Sequence, residues 1–408
     1  MVSAQIIGNN TGGAESPYAW LRLAASVLIG TIGSVGLWSY VVALPVVQAD
    51  FGIARAEASL PYTLTMFGFG LGAAAIGGLV DRFGIVLPLI TSTLALGFGF
   101  VASGLAPSPT AFALTNLLIG IGSAGAFAPL IADISHWFSL RRGIAVAVCS
   151  SGNYMGGTVW PPVVRHLIET EGWRQNQIWI GIICLLTMLP LLLVLRRRLD
   201  GHEVEDAGVS AAGARAGVGL NAYVLFGLLA AASVACCVAM AMPQVHIVAY
   251  CGDLGYGVAR GAEMLSLMMG FGIASRVGSG FVADRIGGIA TLLVGSLMQA
   301  VALLLYLFFD GLTPLYIISA LFGLFQGGIV PMYAIIVREY FPPRQAGTLV
   351  GLVIMASIAG MALGSWMSGA IFDLTGSYWQ AFANGLAWNL LNIAIALFLL
   401  LRRRARSR

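Results

Sequence analysis

Three charged side chains lie within the segment SRVGSGFVADRIGG at positions 275–288, although only 9% of the chain is charged. Arg276 stands inside an apolar run, and Asp284 and Arg285 follow at the end of that run. A guanidinium group presents a planar fork of N–H donors that matches a carboxylate. Arg276 is therefore a candidate for binding an anion, whereas Asp284 and Arg285 are candidates for ion pairs.

The Asp-Arg pair at 284–285 has a second copy in the sequence. Asp81-Arg82 lies in GGLVDRFG and the later pair lies in GFVADRIG, at an offset of 203 residues in a chain of 408. The same offset relates HWFSLR at 136–141 to EYFPPR at 339–344. Two matches at one offset predict a duplicated unit, an architecture that lets one half rock against the other around a midplane site.

Arg276 is not part of this repeat, because the residue 203 positions earlier is Ala73. Eight residues of helix rise about 12 Å, which places Arg276 near the middle of a hydrocarbon core about 30 Å thick. An arginine there costs at least about 2.5–3.5 kcal/mol, so it should face a cavity and a partner. Asp133 and Asp253 are expected at span ends, which favours a substrate anion as the partner. A salt bridge to another helix is the alternative.

Composition indicates the elements that position these residues. The chain is 59% hydrophobic with a mean hydropathy of +0.90, which is typical of a polytopic membrane protein. All 21 basic residues are arginine, and they cluster between apolar runs, so the net charge of +4 indicates topology and not nucleic-acid binding. The five cysteines and four histidines show no metal-ligand spacing, and no cofactor is expected.

Twelve apolar runs predict an all-α integral membrane protein with two pseudo-symmetric bundles of six helices. The predicted spans are 20–47, 58–80, 85–106, 110–134, 143–167, 177–195, 221–250, 261–283, 289–309, 313–337, 347–372 and 378–401. The predicted divisions are an N-terminal tail at 1–19, bundles at 20–195 and 220–401, a linker at 196–219 and a basic tail at 402–408.

The distribution of arginine predicts the orientation. Only Arg55, Arg165, Arg174 and Arg260 fall in the breaks on one side, whereas the other side carries most of the remaining arginines, both termini and the linker. The positive-inside rule then predicts cytoplasmic termini and a multi-pass protein of the cytoplasmic membrane. The polar first eighteen residues lack a cationic n-region, so the first apolar run should be retained as a span.

The repeated motif GxxxDRxG, at 77–84 and 280–287, resembles the signature loop of the major facilitator superfamily. With twelve spans and a central linker, the resemblance covers essentially the whole chain. In that family these loops form ion pairs and helix contacts that hold the outward-facing state. Ile85 and Gly288 stand where further basic residues often follow. The resemblance implies a gating role for Asp81, Arg82, Asp284, Arg285, Arg141 and Arg344.

Within the superfamily, Arg276, HWFSLRRG at 136–143 and HIVAYCGDLG at 246–255 resemble the monocarboxylate transporter and oxalate/formate antiporter branch. The resemblance implies that Arg276 binds a substrate carboxylate. Animal-type members carry an aspartate one turn earlier, where this chain has Gly272, and a lysine on span 1, which is absent here. Dicarboxylate exchangers add a cation on span 11, whereas residues 356–364 are uncharged. One fixed cation predicts one carboxylate per substrate.

Further site candidates follow from residue type and position. His246 lies inside span 7 and is a candidate for substrate binding and proton coupling, although a packing role is an equal alternative. Asp253 is a second proton-coupling candidate. If neither group titrates with transport, uniport or anion exchange is the better mechanism. Candidates for the lining of the cavity are Phe127, Asn153, Tyr154, Trp38, Tyr40, Gln326 and Tyr333, although helix packing explains each of them individually.

The leading interpretation is secondary active transport of small organic monocarboxylates by alternating access, with proton coupling left open. An anion exchanger, or an efflux carrier for drugs or other anions, is the alternative. A membrane enzyme is disfavoured because no nucleophile–base or metal motif is present, and a sensor because no segment is long enough for an output domain. The expected partners are a small carboxylate, the lipid bilayer and, for a symporter, a proton. The substrate, coupling ion, direction of flux and oligomeric state stay open.

Overall fold

The computed structural model describes residues 16–138, 141–197 and 219–406, and the regular structure of these residues is entirely helical, which confirms the predicted fold class. The helices are α1 Pro17–Gly33, α2 Val35–Phe51, α3 Arg55–Phe83, α4 Val86–Gly104, α5 Pro109–Gly125, α6 Ala128–Trp137, α7 Arg142–Ser150, α8 Gly152–Glu171 and α9 Trp173–Leu192. They continue with α10 Ala222–Asp253, α11 Val258–Ile286, α12 Gly288–Phe308, α13 Leu312–Gln326, α14 Ile329–Tyr340, α15 Pro343–Thr375 and α16 Tyr378–Arg406. A short 3-10 turn, Leu193–Leu195, follows α9.

Within the described ranges, 11 helical segments are long and apolar enough to cross a membrane. Three of them join two helices each: α1 with α2, α5 with α6, and α13 with α14. The predicted span 143–167 corresponds to α7 and α8, whose second part carries the polar sequence RHLIETE and is less apolar than the other segments. The protein is therefore a multi-pass membrane protein with the predicted order of spans.

The two repeated loops end their helices in the same way. Gly84 follows α3 with φ +74°, and Gly287 follows α11 with φ +83°. Glycine adopts positive φ without the steric cost that a β-carbon imposes, and this conformation stops a helix. The last residue of each GxxxDRxG motif is therefore glycine because the helix ends there with a positive φ.

The chain ends differ from the predicted divisions. The first helix begins at Pro17, capped by the Ser16 side chain, so it starts inside the predicted tail 1–19. The last helix continues to Arg406, through most of the predicted basic tail 402–408, because arginine is a good helix former and no glycine or proline intervenes. Residues 1–15 and 198–218, which hold most of the predicted tail and linker, lie outside the described residues.

The helices of each half pack mainly among themselves. In the N-terminal half α3 packs on α5 and α4 packs on α5 and α9, and in the C-terminal half α10 packs on α15 and α16. The halves meet mainly where α3 packs on α15 and where α8 packs on α11. We call the end that holds Pro17, Ala222 and Arg406 the terminal end, and the opposite end, at Phe51 and Asp253, the distal end.

A buried ion pair at the terminal end belongs to the N-terminal half alone. Arg22 is 1% exposed, and its Nε and Nη2 atoms lie 2.7 and 2.8 Å from the Asp133 carboxylate. Its Nη1 donates to the Arg197 carbonyl at 3.0 Å, and the guanidinium lies over the Trp137 ring. Asp133 is therefore engaged within its own half.

Candidate functional site

Four helical spans are interrupted inside the membrane segment. The breaks fall at Ser34 between α1 and α2, at Ala126–Phe127 between α5 and α6, at Ser151 between α7 and α8, and at Gly327–Gly328 between α13 and α14. A break frees backbone groups that the membrane core cannot satisfy, so interrupted spans occur where protein or a cavity surrounds them. The four breaks therefore mark the part of the molecule where a binding site is expected.

Small residues let the first three breaks approach one another. A β-carbon added at Gly33 would collide with the Ala126 side chain, and one added at Gly152 would lie 3.4 Å from the Cα atom of Gly30. Such close helix packing requires residues without bulk at the contact. The glycines of these spans therefore bring three interrupted helices together.

The fourth break lies against α11, the helix that carries Arg276. A β-carbon at Gly327 would collide with the Gly272 backbone, and the Gly328 N–H donates to Ser275 Oγ at 3.0 Å. The segment 272–276 of α11 is thus held directly against the interruption between α13 and α14.

Arg276 reaches from α11 into the N-terminal half. Its guanidinium carbon lies 4.5 Å from the centre of the Tyr154 ring, and its Nη1 donates to the Ser150 carbonyl at 3.4 Å. Nε is buried without a hydrogen-bond partner, and no described carboxylate pairs with this arginine. A half-buried cation with one long hydrogen bond and a π contact has unused capacity for an anion.

Gly272 explains how Tyr154 reaches this position. A β-carbon at Gly272 would collide with Cδ1 and Cε1 of the Tyr154 ring, so the ring lies directly against the α11 backbone. Any side chain at position 272 would occupy the same space. The ring therefore fills the place at which a side chain one turn before Arg276 would stand.

Three other predicted site residues lie on or beside the interrupted spans. Trp38 Nε1 lies 3.1 Å from Asn153 Oδ1 and 3.3 Å from the Asn153 carbonyl, and Asn153 directly precedes Tyr154. Phe127 lies at the break between α5 and α6, with its ring 6.3 Å from the Phe69 ring. Asn153 is half-buried, so its side chain is accessible to a ligand that lies beside Tyr154.

Three predicted lining residues have the contacts of packing residues. Tyr40 is fully buried, its hydroxyl donates to the Ala58 carbonyl, and its ring lies 5.6 Å from Phe112. The other two are equally buried within the C-terminal half: Gln326 Oε1 accepts from Gln244 Nε2 at 2.8 Å, and Tyr333 donates to Asn392 Oδ1 at 2.8 Å. None of the three contacts Arg276 in the described part of the chain.

His246 and Asp253 lie in a cluster at the distal end and not beside Arg276. His246 is fully buried, with Nδ1 3.2 Å from the Tyr378 hydroxyl and Nε2 2.9 Å from the Ser365 carbonyl. Arg55 of the N-terminal half donates to the same Tyr378 hydroxyl at 2.6 Å, and its Nη2 lies 3.2 Å from Asp253. The two proton-coupling candidates therefore meet at Arg55 and Tyr378.

Asp373 adds a second link between the halves at this end. Its carboxylate accepts the backbone N–H groups of Arg55 at 2.8 Å and Ala56 at 2.6 Å, and so caps α3 from the other half of the molecule. The Arg55 guanidinium also lies over the Phe372 ring. We call this group the distal lock; its members are Arg55, Asp253, Asp373 and Tyr378.

Arg55 and Asp373 were not among the residues predicted from sequence. One signal was available: Arg55 is one of only four arginines on the arginine-poor side. An arginine on a side with few other cations is expected to form an ion pair with an acidic residue at the end of a neighbouring span. Which acid it meets depends on how the two halves pack, and a single sequence does not contain that information.

The gating candidates lie at the terminal end. Arg82, Asp284 and Arg285 are exposed, and within the described side chains they form no ion pair. Arg141 is also exposed. The side chains of Asp81 and Arg344 lie outside the described part of the chain. Arg82, Asp284 and Arg285 thus form no ion pair with the described side chains in a conformation whose halves are joined at the distal end.

Two packed halves, interrupted spans and, among the described residues, a boundary arginine without a carboxylate partner are typical of membrane carriers. The family model described as Major Facilitator Superfamily matches residues 26–318 and 264–408. The chain belongs to this superfamily and is a transporter of that type.

Individual proteins show the same relationship. Monocarboxylate transporter 13 of Bos taurus is 28% identical over 335 residues, which cover 80% of this chain and 75% of that protein. The MFS-type transporter pynF of Aspergillus niger is 23% identical over 374 residues, 90% of this chain and 84% of that one. A bacterial homolog of the human lysosomal transporter Spinster, solved in an inward-facing and occupied conformation, shares the fold with a TM-score of 0.70 at 17% identity and covers 96% of this chain and 97% of its own.

Proposed function

We propose that this protein is a secondary active transporter of small organic monocarboxylates, of the lactate and pyruvate kind, that works by alternating access between its halves. The observation that carries the proposal is the Arg276 guanidinium, which lies between the halves without a carboxylate partner among the described residues. A substrate carboxylate supplies the acceptors that the guanidinium fork requires. The similarity to Monocarboxylate transporter 13 supports this substrate class.

The charge of the substrate follows from the fixed charge of the site. Among the described residues, Arg276 is a boundary cation without a carboxylate partner, whereas Arg55 and Arg165 are paired across the halves. Segment 356–364 of α15 is uncharged. The residues in contact with Arg276, Tyr154 and Ser150, add no charge. A dicarboxylate would leave one carboxylate without a counter-charge in a medium of low dielectric constant, which is costly. One carboxylate per substrate molecule is therefore favoured.

The arginine-rich terminal end is assigned to the cytoplasm of a cytoplasmic membrane, with bundles at 20–195 and 220–401 as the moving units. In this orientation the distal lock closes the outer side. The gating charges Arg82, Asp284 and Arg285 then face the cytoplasm, and they would form their ion pairs when the distal lock opens.

Proton coupling, if it operates, is assigned to the distal lock and not to Arg276. Both nitrogens of His246 have partners, and one partner is the Tyr378 hydroxyl that also accepts from Arg55. A proton gained on His246 would require Tyr378 to reorient, because both ring nitrogens of a protonated histidine are donors. His246 would then act on the contact between Arg55 and Tyr378.

The test is uptake of labelled lactate and pyruvate into proteoliposomes, comparing wild type with Arg276→Ala. Truncating one member of a buried charged pair costs about 2–5 kcal/mol, so uptake at low substrate concentration should fall by about 30-fold or more. Arg260→Ala is the matched control, because Arg260 lies on the same helix and is exposed beside Glu263. Normal carboxylate uptake by Arg276→Ala would contradict the proposal.

The same vesicles separate the mechanisms. An imposed pH gradient should drive accumulation in a proton symporter, whereas unlabelled substrate inside the vesicles should accelerate uptake in an exchanger. A pH response that persists in His246→Ala would exclude His246 from coupling.

A further inference from the structure

A second cavity lies at the distal end of the C-terminal half, away from Arg276. Its volume is about 210 Å³, and it lies between the end of α10, the end of α12 and the start of α16, with one side open to the surface at Phe309 and Trp379. Its lining includes six aromatic residues and one exposed carboxylate, namely Tyr250, Tyr306, Phe308, Phe309, Tyr378, Trp379 and Asp310. We propose that this cavity binds an organic ammonium cation.

The chemistry of the walls selects the ligand. Asp310 is the charged group of the cavity lining and has no cationic partner among the described side chains, so the cavity carries a net negative charge. Aromatic rings attract cations through their negative faces and also accept apolar methyl groups. A methylated ammonium group satisfies both properties, whereas a strongly hydrated sodium ion satisfies only the first and an anion neither.

The aromatic wall is preorganised by its own packing. The Tyr306 ring stacks on Phe382 at 4.8 Å, and the Tyr250 ring lies 5.4 Å from both Phe382 and Tyr378. The Tyr306 hydroxyl is bonded to Ser319 at 2.8 Å. The rings are therefore held in place without a ligand, which lowers the entropy lost on binding.

Tyr378 connects this cavity to the distal lock. The same residue lines the cavity and holds Arg55 and His246 through its hydroxyl. A cation in the cavity would hold the Tyr378 ring in this position and so favour the distally closed conformation. The ligand is expected to slow opening of the distal end, whatever the transported substrate is.

An ammonium group has two sources at this location. A free cation can enter from the aqueous side, and a membrane lipid can present a choline headgroup at the level of the helix ends. Trp379 provides a reporter, because it lines the cavity and is largely exposed.

The experiment is a tryptophan fluorescence titration of the purified full chain in detergent with tetramethylammonium chloride, against sodium chloride at matched ionic strength. The signal of Trp379 is the difference between wild type and Trp379→Phe. The expected result is a saturable change with tetramethylammonium only, lost in Asp310→Asn and in Tyr250→Leu. Asp50→Asn is the control, because Asp50 lies at the distal end of the other half and pairs with Arg174.

A sodium response equal to the tetramethylammonium response would overturn the proposal, as would an unchanged titration of folded Asp310→Asn and Tyr250→Leu. Folding of each variant is checked by its size-exclusion elution profile and its thermal unfolding. Two variants are used so that the test still stands if one of them does not fold. Nanodiscs of phosphatidylglycerol and of phosphatidylcholine identify the source of the cation. Weaker tetramethylammonium binding in phosphatidylcholine indicates a lipid headgroup, and equal binding indicates a free cation.

Discussion

Arg55 and Arg276 are two arginines at the boundary between the halves, and their surroundings differ. Arg55 is 6% exposed and has Asp253 and Tyr378 as partners from the other half. Among the described residues, the partners of Arg276 are only the Ser150 carbonyl and the Tyr154 ring. Nε lacks a hydrogen bond in both residues, so the difference lies in the carboxylate.

This difference separates a structural cation from a binding cation. A buried charge that is paired inside the protein contributes to holding two segments together, whereas one without a counter-charge retains affinity for an external anion. Arg55 therefore belongs to the distal lock, and Arg276 is the residue expected to meet substrate. The loss of carboxylate uptake in Arg276→Ala is the largest effect expected from this comparison.

Arg55→Ala should give the next largest effect. The substitution removes the hydrogen bonds to Tyr378 and Asp253, and charged hydrogen bonds contribute about 1.5–3 kcal/mol each. Because the Asp253 side chain is 38% exposed, solvent weakens that bond, and the distally closed state should lose about 2–3 kcal/mol. Distances between spin labels placed at Glu57 and Thr375 should lengthen. Arg174→Ala, which removes a pair within one half, should leave them unchanged. Unchanged distances in Arg55→Ala would mean that the lock does not hold the halves.

Gly272→Ala should disturb Arg276 without touching it. The added β-carbon collides with the Tyr154 ring, and overpacking of this kind costs about 1–3 kcal/mol. The expected result is a lower temperature of thermal unfolding and a raised KM for carboxylate uptake. Gly280→Ala is the matched control on the same helix, because a β-carbon there meets open space. Equal behaviour of the two variants would contradict the contact.

Replacing Tyr154 tests the π contact with Arg276. Tyr154→Phe retains the ring and should transport normally, since among the described residues the Tyr154 hydroxyl makes no hydrogen bond. Tyr154→Leu removes the ring and should weaken carboxylate binding by about 0.5–2 kcal/mol, measured as KM. A defect in Tyr154→Phe as large as that of Tyr154→Leu would point to the hydroxyl and not to the ring.

The smallest effect is expected for Asp373→Asn. An asparagine has one acceptor oxygen, so it keeps the bond to one of the Arg55 and Ala56 N–H groups and loses the other, together with the charge that favours the helix N-terminus. The distally closed state should lose about 1 kcal/mol. The spin-label distances should shift slightly in the direction seen for Arg55→Ala. A shift larger than that of Arg55→Ala would reverse the order of the two contacts within the lock.

Residue type and position along a span were reliable guides only where local chemistry decided the outcome. Trp38, Asn153 and Tyr154 were predicted as lining residues; Trp38 contacts Asn153, and the Tyr154 ring contacts Arg276. Tyr40 and Tyr333 were chosen on the same grounds, yet each turns toward its own half, because the rotation of a helix about its axis depends on its neighbours. A polar residue on a span that lines the cavity therefore predicts where the residue lies along the span, but not whether its side chain faces the cavity.

The sequence by itself determined the helical class, the order of the spans, the twin GxxxDRxG loops and the isolation of Arg276, because hydropathy, glycine conformation and internal repetition are properties of local sequence. Only the tertiary structure decided that Arg55 meets Asp253 and Tyr378, that His246 contacts the distal lock through Tyr378, and that the Tyr154 ring requires a glycine at 272. Each of these depends on contact between helices that are 118 to 323 residues apart in the sequence, and all but the His246 contact join the two halves. Such contacts arise from packing, which no periodicity along the chain encodes.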